Sequence, residues 1–209
     1  MSHIVARKDW GVIDLDTIGG RIFFQQDWLY HWTTIAPATA WTLAEKRAFH
    51  RASDRAIWGR WSMRIKLKVV GTTPFCVKFA HTGVPINFDV RWVLSGGHFQ
   101  VNAHKTPPGT PVGQYHQSVS FGGHVIELYT SKLATYTAAN EAGVSRPGFR
   151  STPHEFGHTL GNPDEYGAGS VHLADNASTM NVGNQVRARH LTLVINTLNT
   201  MLPGCTFSM

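Results

Sequence analysis

The sequence predicts a single α+β domain spanning residues 1–209, and three observations carry that prediction. First, 42% of the 209 residues are hydrophobic and only 15% are charged, with 7 Trp, 11 Phe and 5 Tyr. A disordered chain would be poor in aromatic residues and rich in charge, so this composition is that of a chain with a buried core. Second, short runs with strand character alternate with segments of helical spacing. Third, no internal repeat and no Gly/Ser/Pro-rich linker divides the chain.

Residues 1–36 mix aromatic and polar side chains without a clean period and are expected to form an irregular wrapping arm. A long helix is expected from about Thr39 to Trp58. That stretch holds no Gly or Pro, and Trp41, Ala44, Ala48, Ala52 and Ile57 recur near helical spacing. Strand-like runs follow at Ser62–Val70, Phe75–Ala80, Ile86–Leu94 and Phe99–Ala103, separated by turn formers such as Gly71-Thr72-Thr73-Pro74 and Ser95-Gly96-Gly97. Residues 105–123 are dense in Gly and Pro and predict a long loop. A strand over His124–Tyr129, a helix around Ser131–Ala142, a short helix, a Gly-rich stretch and a last helix from about Val186 to Leu202 complete the chain.

The 19 Lys and Arg exceed the 13 Asp and Glu, giving a net charge of +6 at pH 7 with His neutral. The densest basic series, Arg47 to Lys68, straddles a predicted helix and strand, with no Lys/Arg block or RNA-binding aromatic signature, so no nucleic-acid partner is expected. No segment approaches the ~18 apolar residues of a membrane span. Arg7, Lys8, Asp9, Asp14 and Asp16 stand where a signal peptide would have its apolar stretch, which predicts synthesis in the cytoplasm without a cleaved signal. Cys76, in an apolar run, and Cys205, near the end, are read as two unpaired thiols in preference to a bridge, a choice the sequence leaves open.

The chemistry is concentrated in His154-Glu155-Phe156-Gly157-His158-Thr159-Leu160-Gly161-Asn162-Pro163-Asp164. On a helix, His154 and His158 are four residues apart and project from one face, close enough to share a metal ion. Glu155 can then reach a metal-bound water without being a ligand. Two imidazoles and a carboxylate suit Zn²⁺, with a fourth position left for water whose pKa falls towards 7. Gly161 permits a left-handed turn that ends the helix, and Asp164 arrives where a third ligand is needed, with Glu165 and His172 as competitors. From this composition, His-Glu-x-x-His arises by chance roughly 0.02 times in the chain, and about 10⁻⁴ times with the Gly and Asp added. The bland alternative is a helix start in which Thr152 and Glu155 form a capping box and both His are idle.

This motif resembles the signature of the metzincin zinc metallopeptidases, and its Asp form looks like that of snapalysin-type bacterial enzymes. Ser178-Thr179-Met180-Asn181, sixteen residues past Asp164, is similar to the Met-containing turn of that family. The resemblance covers about residues 150–202. It implies a zincin-like fold: a mixed twisted sheet with a long N-terminal helix, an active-site helix and a C-terminal helix. It further implies Zn²⁺ held by His154, His158 and Asp164, Glu155 as general base, and a protein or peptide substrate. Some metzincins carry a Tyr two residues after the turn Met; that position here is Val182, and Tyr166 is the phenol expected to stabilise the oxyanion or to pack behind the loop. The phrases Glu45-Lys46-Arg47-Ala48-Phe49-His50 and Ile57-Trp58-Gly59-Arg60-Trp61-Ser62 resemble metallopeptidase toxin domains delivered by bacterial contractile injection systems. That second resemblance implies export by a specialised secretion apparatus and a cognate inhibitor, or immunity protein, as partner.

The leading expectation is therefore a zinc-dependent endopeptidase. Its rivals are a non-catalytic zinc-containing binding module with a basic surface, and an amidase or endopeptidase of cell-wall peptides. Glu155 weighs against the first, because a purely structural site has no use for a base. The histidines outside the motif are read as surface or core-edge residues, with His98, His104, His116 and His124 flanking a strand and loop that could meet substrate. Met180 is expected to be an apolar floor, since thioethers bind Zn²⁺ poorly.

Overall fold

The computed structural model describes residues 2–209, which fold as a nine-stranded sheet, a separate two-stranded hairpin and four α-helices. The segment expected to be an irregular arm is instead three strands: β1 (His3–Lys8), β2 (Gly11–Asp16) and β3 (Arg21–Thr34). On β3 the buried positions are Ile22, Phe24, Gln26, Trp28 and Tyr30, a period of two along one face. Polar Gln26 within that face, and Phe23 on the opposite one, blur the alternation in the sequence.

Strand β3 organises the sheet. Its first half pairs antiparallel with β2, and residues 22–29 run parallel to β5 (Val84–Val93). Its second half runs parallel to β6 (Phe99–Lys105), which takes over the side where β2 ends. Beyond β6 come β8 (Val125–Tyr129), parallel, and the short antiparallel edge strand β7 (Ser118–Ser120). On the other flank, β4 (Lys66–Gly71) pairs with β5, and β11 (Cys205–Ser208) closes the sheet beside β4. The fold class is thus α+β with a mixed sheet, as expected.

Helix α1 (Leu43–Trp61) begins later than its sequence signal, because Thr42 and Glu45 form a capping box that fixes the start. The two phrases that resemble toxin domains lie along α1 and its C-terminal end. The strand expected over Phe75–Ala80 is in fact helix α2 (Pro74–Phe79). Thr73 caps it by accepting from the Cys76 amide, and Pro74 occupies the first turn, where its missing N–H costs nothing. The helix expected around Ser131–Ala142 is also absent. A single 3₁₀ turn at Thr130–Lys132 leads into a hairpin of β9 (Tyr136–Ala139) and β10 (Ser145–Phe149). Asn140 makes that hairpin turn by accepting from the Val144 amide, with Gly143 at φ +77°.

Helices α3 (Ser151–His158) and α4 (Thr192–Met201) complete the fold, the latter preceded by a 3₁₀ turn at Ala188–Leu191 rather than starting at Val186. Cys76 and Cys205 are joined in a disulfide, with Cα atoms 6.1 Å apart, so the bridge, and not the favoured pair of free thiols, is the arrangement found. Strand β11, which the sequence reading missed, brings Cys205 opposite Gly71 and hence beside α2.

The core is aromatic where it meets α3. Phe24 of β3 and Phe88 of β5 lie 6.3 and 5.8 Å, ring to ring, from Phe156, and Trp61 of α1 lies 5.6 Å from it. Phe156 stands between the two motif histidines in sequence, so this cluster orients α3 with His154 and His158 on the side away from it. No helix among the described residues is long and apolar enough to cross a membrane.

Candidate metal centre

Helix α3 carries His154, Glu155 and His158 in its last five residues, and the chain then turns back as the sequence predicts. Gly161 takes φ +79°, a left-handed conformation that favours glycine, while its surroundings would leave room for a side chain. Asn162 locks the turn: its side-chain amide donates to the carbonyls of Gly157 (2.9 Å) and His190 (3.0 Å).

The two imidazoles are oriented by main-chain carbonyls. Nδ1 of His154 lies 2.8 Å from the Thr179 carbonyl oxygen, and Nδ1 of His158 lies 2.7 Å from that of Asn162. A carbonyl can only accept, so each Nδ1 carries a proton and each Nε2 presents a lone pair. Both Nε2 atoms face Asp164 Oδ1, at 3.0 Å from His154 and 3.2 Å from His158. Three such groups gathered this closely are suited to share a cation. Ligand atoms held ~2.05 Å from a tetrahedral Zn²⁺ are themselves about 3.3 Å apart, close to the spacings here. His154, His158 and Asp164 can therefore hold a metal ion.

Of the competitors for the third position, neither joins this group. Glu165 is buried and turned the other way, bonded in fork fashion by Arg189 (2.6 and 2.8 Å) and by His190 (3.1 Å). His172 is outside the group, and its carbonyl accepts from Asn181. The capping box between Thr152 and Glu155 does not form: α3 has no side-chain cap, and the buried Thr152 hydroxyl finds no partner.

The electrostatics follow from burial and proximity. Burial raises the pKa of Glu155, and Asp164 raises it further, against lowering by His154, His158 and Lys132. Burial would raise Asp164 as well, but the two histidines, when protonated at Nε2, donate to this carboxyl and hold it well below the usual range. Tyr166 donates to Asp164 Oδ2 (2.9 Å) and stacks on His154 at 5.9 Å, and burial together with the Asp164 charge pushes its hydroxyl pKa up.

Below the histidines, Met180 is fully buried in the turn the sequence singled out, against Gly157 and Trp61. Sequence reasoning missed the groups that hold this turn. Asn181 donates to the carbonyls of Glu165 (3.1 Å) and Leu173 (2.9 Å), and Trp61 Nε1 donates to the Pro153 carbonyl (2.8 Å). Gln26 of β3 is wholly buried and bonds Thr159, at the end of α3, through Thr159 Oγ1 at 2.9 Å.

No protein-family model, no curated protein and no solved structure matches this chain.

Two hollows, of about 410 and 340 Å³, share Gln117, His154, Glu155 and Tyr166 and so extend to either side of the centre. One is bounded by Ser118 and Val119 of β7, with His158, Pro163 and Asp164. The other contains Lys132, Tyr136, Phe149 and His116. Lys132 is buried, its ammonium 4.5 Å above the Tyr136 ring, which makes it a fixed cation in the cleft wall that no motif announced. Of the loop-flanking histidines, His116 alone reaches this cleft. His98 and His124 line a separate hollow beside Asp9 and Asp27, and His104 bonds Glu127 at 2.6 Å.

Proposed function

We propose that this chain is a zinc-dependent endopeptidase. The observation that carries the reading is the convergence of His154 Nε2, His158 Nε2 and Asp164 Oδ1 beside a buried carboxylate, Glu155, at the floor of an open cleft. Bound by these three side chains, Zn²⁺ supplies a Lewis acid for the scissile carbonyl and a water acidic enough to ionise near neutral pH.

The chain's own residues do the rest. Glu155, with its pKa raised by burial, takes the proton of the attacking water and returns it to the leaving amine. Tyr166 positions Asp164 through its hydroxyl and offers the same group to negative charge developing on the carbonyl oxygen. β7 ends the sheet at the rim of the cleft, so an extended peptide can add to it as a further strand and lie across the centre. A zincin-like, metzincin-type assignment is supported by the same features: the His-Glu-x-x-His helix, the glycine turn, Asp164, and the buried Met180 beneath the histidines.

The test is Glu155→Gln. The amide is isosteric but cannot serve as a base, so hydrolysis of an unfolded protein substrate is expected to vanish while zinc content stays near one per chain. Turnover equal to that of the parent would overturn the reading.

A further inference from the structure

Outside the cleft lies a hollow of about 600 Å³ whose lining includes Arg55, Arg60, Arg64, Arg150, Asn184 and Gln185, and no carboxylate. α1 contributes Arg55 and Arg60, the segment after it Arg64, the residue before α3 Arg150, and the stretch after the Met180 turn the two amides. Arg55, Arg60 and Arg64 fall within ten residues of one another, and the fold brings the distant Arg150 up to them against the repulsion of like charges. Among the described residues none of the four is in an ion pair. Arg60 donates to Thr179 Oγ1 (3.2 Å) and to the Gly183 carbonyl (3.3 Å), and Arg64 donates to the Gly59 carbonyl. The charge of Arg55 also reaches Asp54, which lies outside the hollow's lining.

Arg60 shows the imbalance. Burial, followed by Arg150 and Arg64, brings its pKa down to about 10, and no carboxylate acts in the other direction. One carbonyl and one hydroxyl satisfy some of its N–H groups but leave its charge unneutralised. A buried or crowded cation without a counter-ion is costly, and a bound anion removes that cost.

We propose that this hollow is a binding site for a compact, multiply phosphorylated small molecule, free or as the headgroup of a lipid. Guanidinium forks match phosphate oxygens in pairs, and four of them around one concavity suit several phosphates close together. The volume is that of a small-molecule site. An extended nucleic acid fits less well, because no aromatic side chain lines the hollow to stack a base. The site touches the metal centre through one residue: Thr179 gives its hydroxyl to Arg60 and its carbonyl to His154.

The probe is tripolyphosphate, titrated calorimetrically into the zinc-loaded chain, with inorganic phosphate for comparison. Saturable binding at one site is expected for tripolyphosphate, much tighter than for phosphate. Arg55→Glu/Arg150→Glu reverses two exposed charges that hold no structural contact and should weaken it by roughly tenfold or more. The charge-matched Arg7→Glu/Arg21→Glu, on the far strands β1 and β3, should leave it within about twofold. Amide exchange across residues 178–187 should slow on binding. Co-sedimentation with phosphatidylcholine vesicles containing a polyphosphorylated phosphoinositide, lost in the same pocket variant, assigns the lipid source. Binding of tripolyphosphate without vesicle capture assigns the free one. Absence of saturable binding to both probes, or equal weakening by the two double variants, overturns the proposal. Because binding is read without catalysis, Glu155→Gln should bind tripolyphosphate like the parent.

Discussion

Met180 and Gly157 meet so closely that a methyl group added at Gly157 would overlap the Met180 sulfur and lie 3.1 Å from Trp61 Cζ2. The glycine inside the His154–His158 turn is therefore a packing requirement: it lets the Met180 turn come up under α3 and bring the Thr179 carbonyl to His154. Gly157→Ala should raise helix propensity yet destabilise the fold by about 1–3 kcal/mol, the usual cost of overpacking a rigid core. Urea denaturation checks this, and a variant as stable as the parent would show that the contact relaxes freely. Combining the change with Met180→Ala should cost less than the sum of the single changes, because both act on one contact.

The adjacent acids Asp164 and Glu165 should separate cleanly by experiment. Asp164→Ala removes the carboxylate that both Nε2 atoms face and should lower zinc affinity by orders of magnitude under a competing chelator. Glu165→Ala should act on folding instead. It strands buried His190 and half-frees Arg189, at a cost of about 2–3 kcal/mol, less than a fully buried pair because Arg189 is partly exposed and keeps Asp175. Zinc occupancy that falls with Glu165→Ala and holds with Asp164→Ala would move the ligand by one residue.

The candidate metal site of this chain is legible in its sequence because it is local. A helical period of four, a glycine and an Asp within eleven residues suffice to gather His154, His158 and Asp164. What supports them comes from far away and carries no local signature. Gln26 lies 133 residues from the Thr159 it bonds, and Trp61 lies 92 from the Pro153 carbonyl. The same contrast governs the fold. The strands of residues 84–105 were readable because their buried faces are apolar. β3 was not, since Gln26 sits in the buried face to meet α3. The Phe75–Ala80 run carried its helix signal in Thr73-Pro74, outside the apolar pattern, and Lys132 became a cleft residue only through the β9–β10 hairpin that replaced a predicted helix.

Acid should reveal the clamp on the Gly-rich stretch. Asp175 accepts from Arg187 (2.6 and 2.8 Å) and from Arg189 (2.7 Å), and the Arg187 bonds lead in bringing its pKa down to about 2. A carboxylate with a folded pKa below its unfolded value contributes stability that is present above the unfolded pKa, near pH 4, and is lost as pH falls towards 2. The parent should therefore lose melting temperature across that window. Asp175→Asn should start lower at pH 7 and show a shallower fall, because the group that titrates is gone. Parallel curves for the two would exclude Asp175 as a contributor to acid sensitivity.

Tyr166 is the residue whose two roles can be told apart. Its hydroxyl donates to Asp164 Oδ2 and its ring covers His154, so in the resting chain it positions Asp164. Outer partners of metal ligands typically account for ~10–100-fold in metal affinity, and Tyr166→Phe should lower zinc affinity by about tenfold while keeping the ring in place. If the phenol also donates to the developing oxyanion, excess zinc will not restore turnover, and kcat should remain about 10²-fold down with KM little changed. The pair of measurements is decisive because the roles have different signatures. Unchanged zinc affinity would exclude the positioning role, and full kcat at saturating zinc would exclude oxyanion donation.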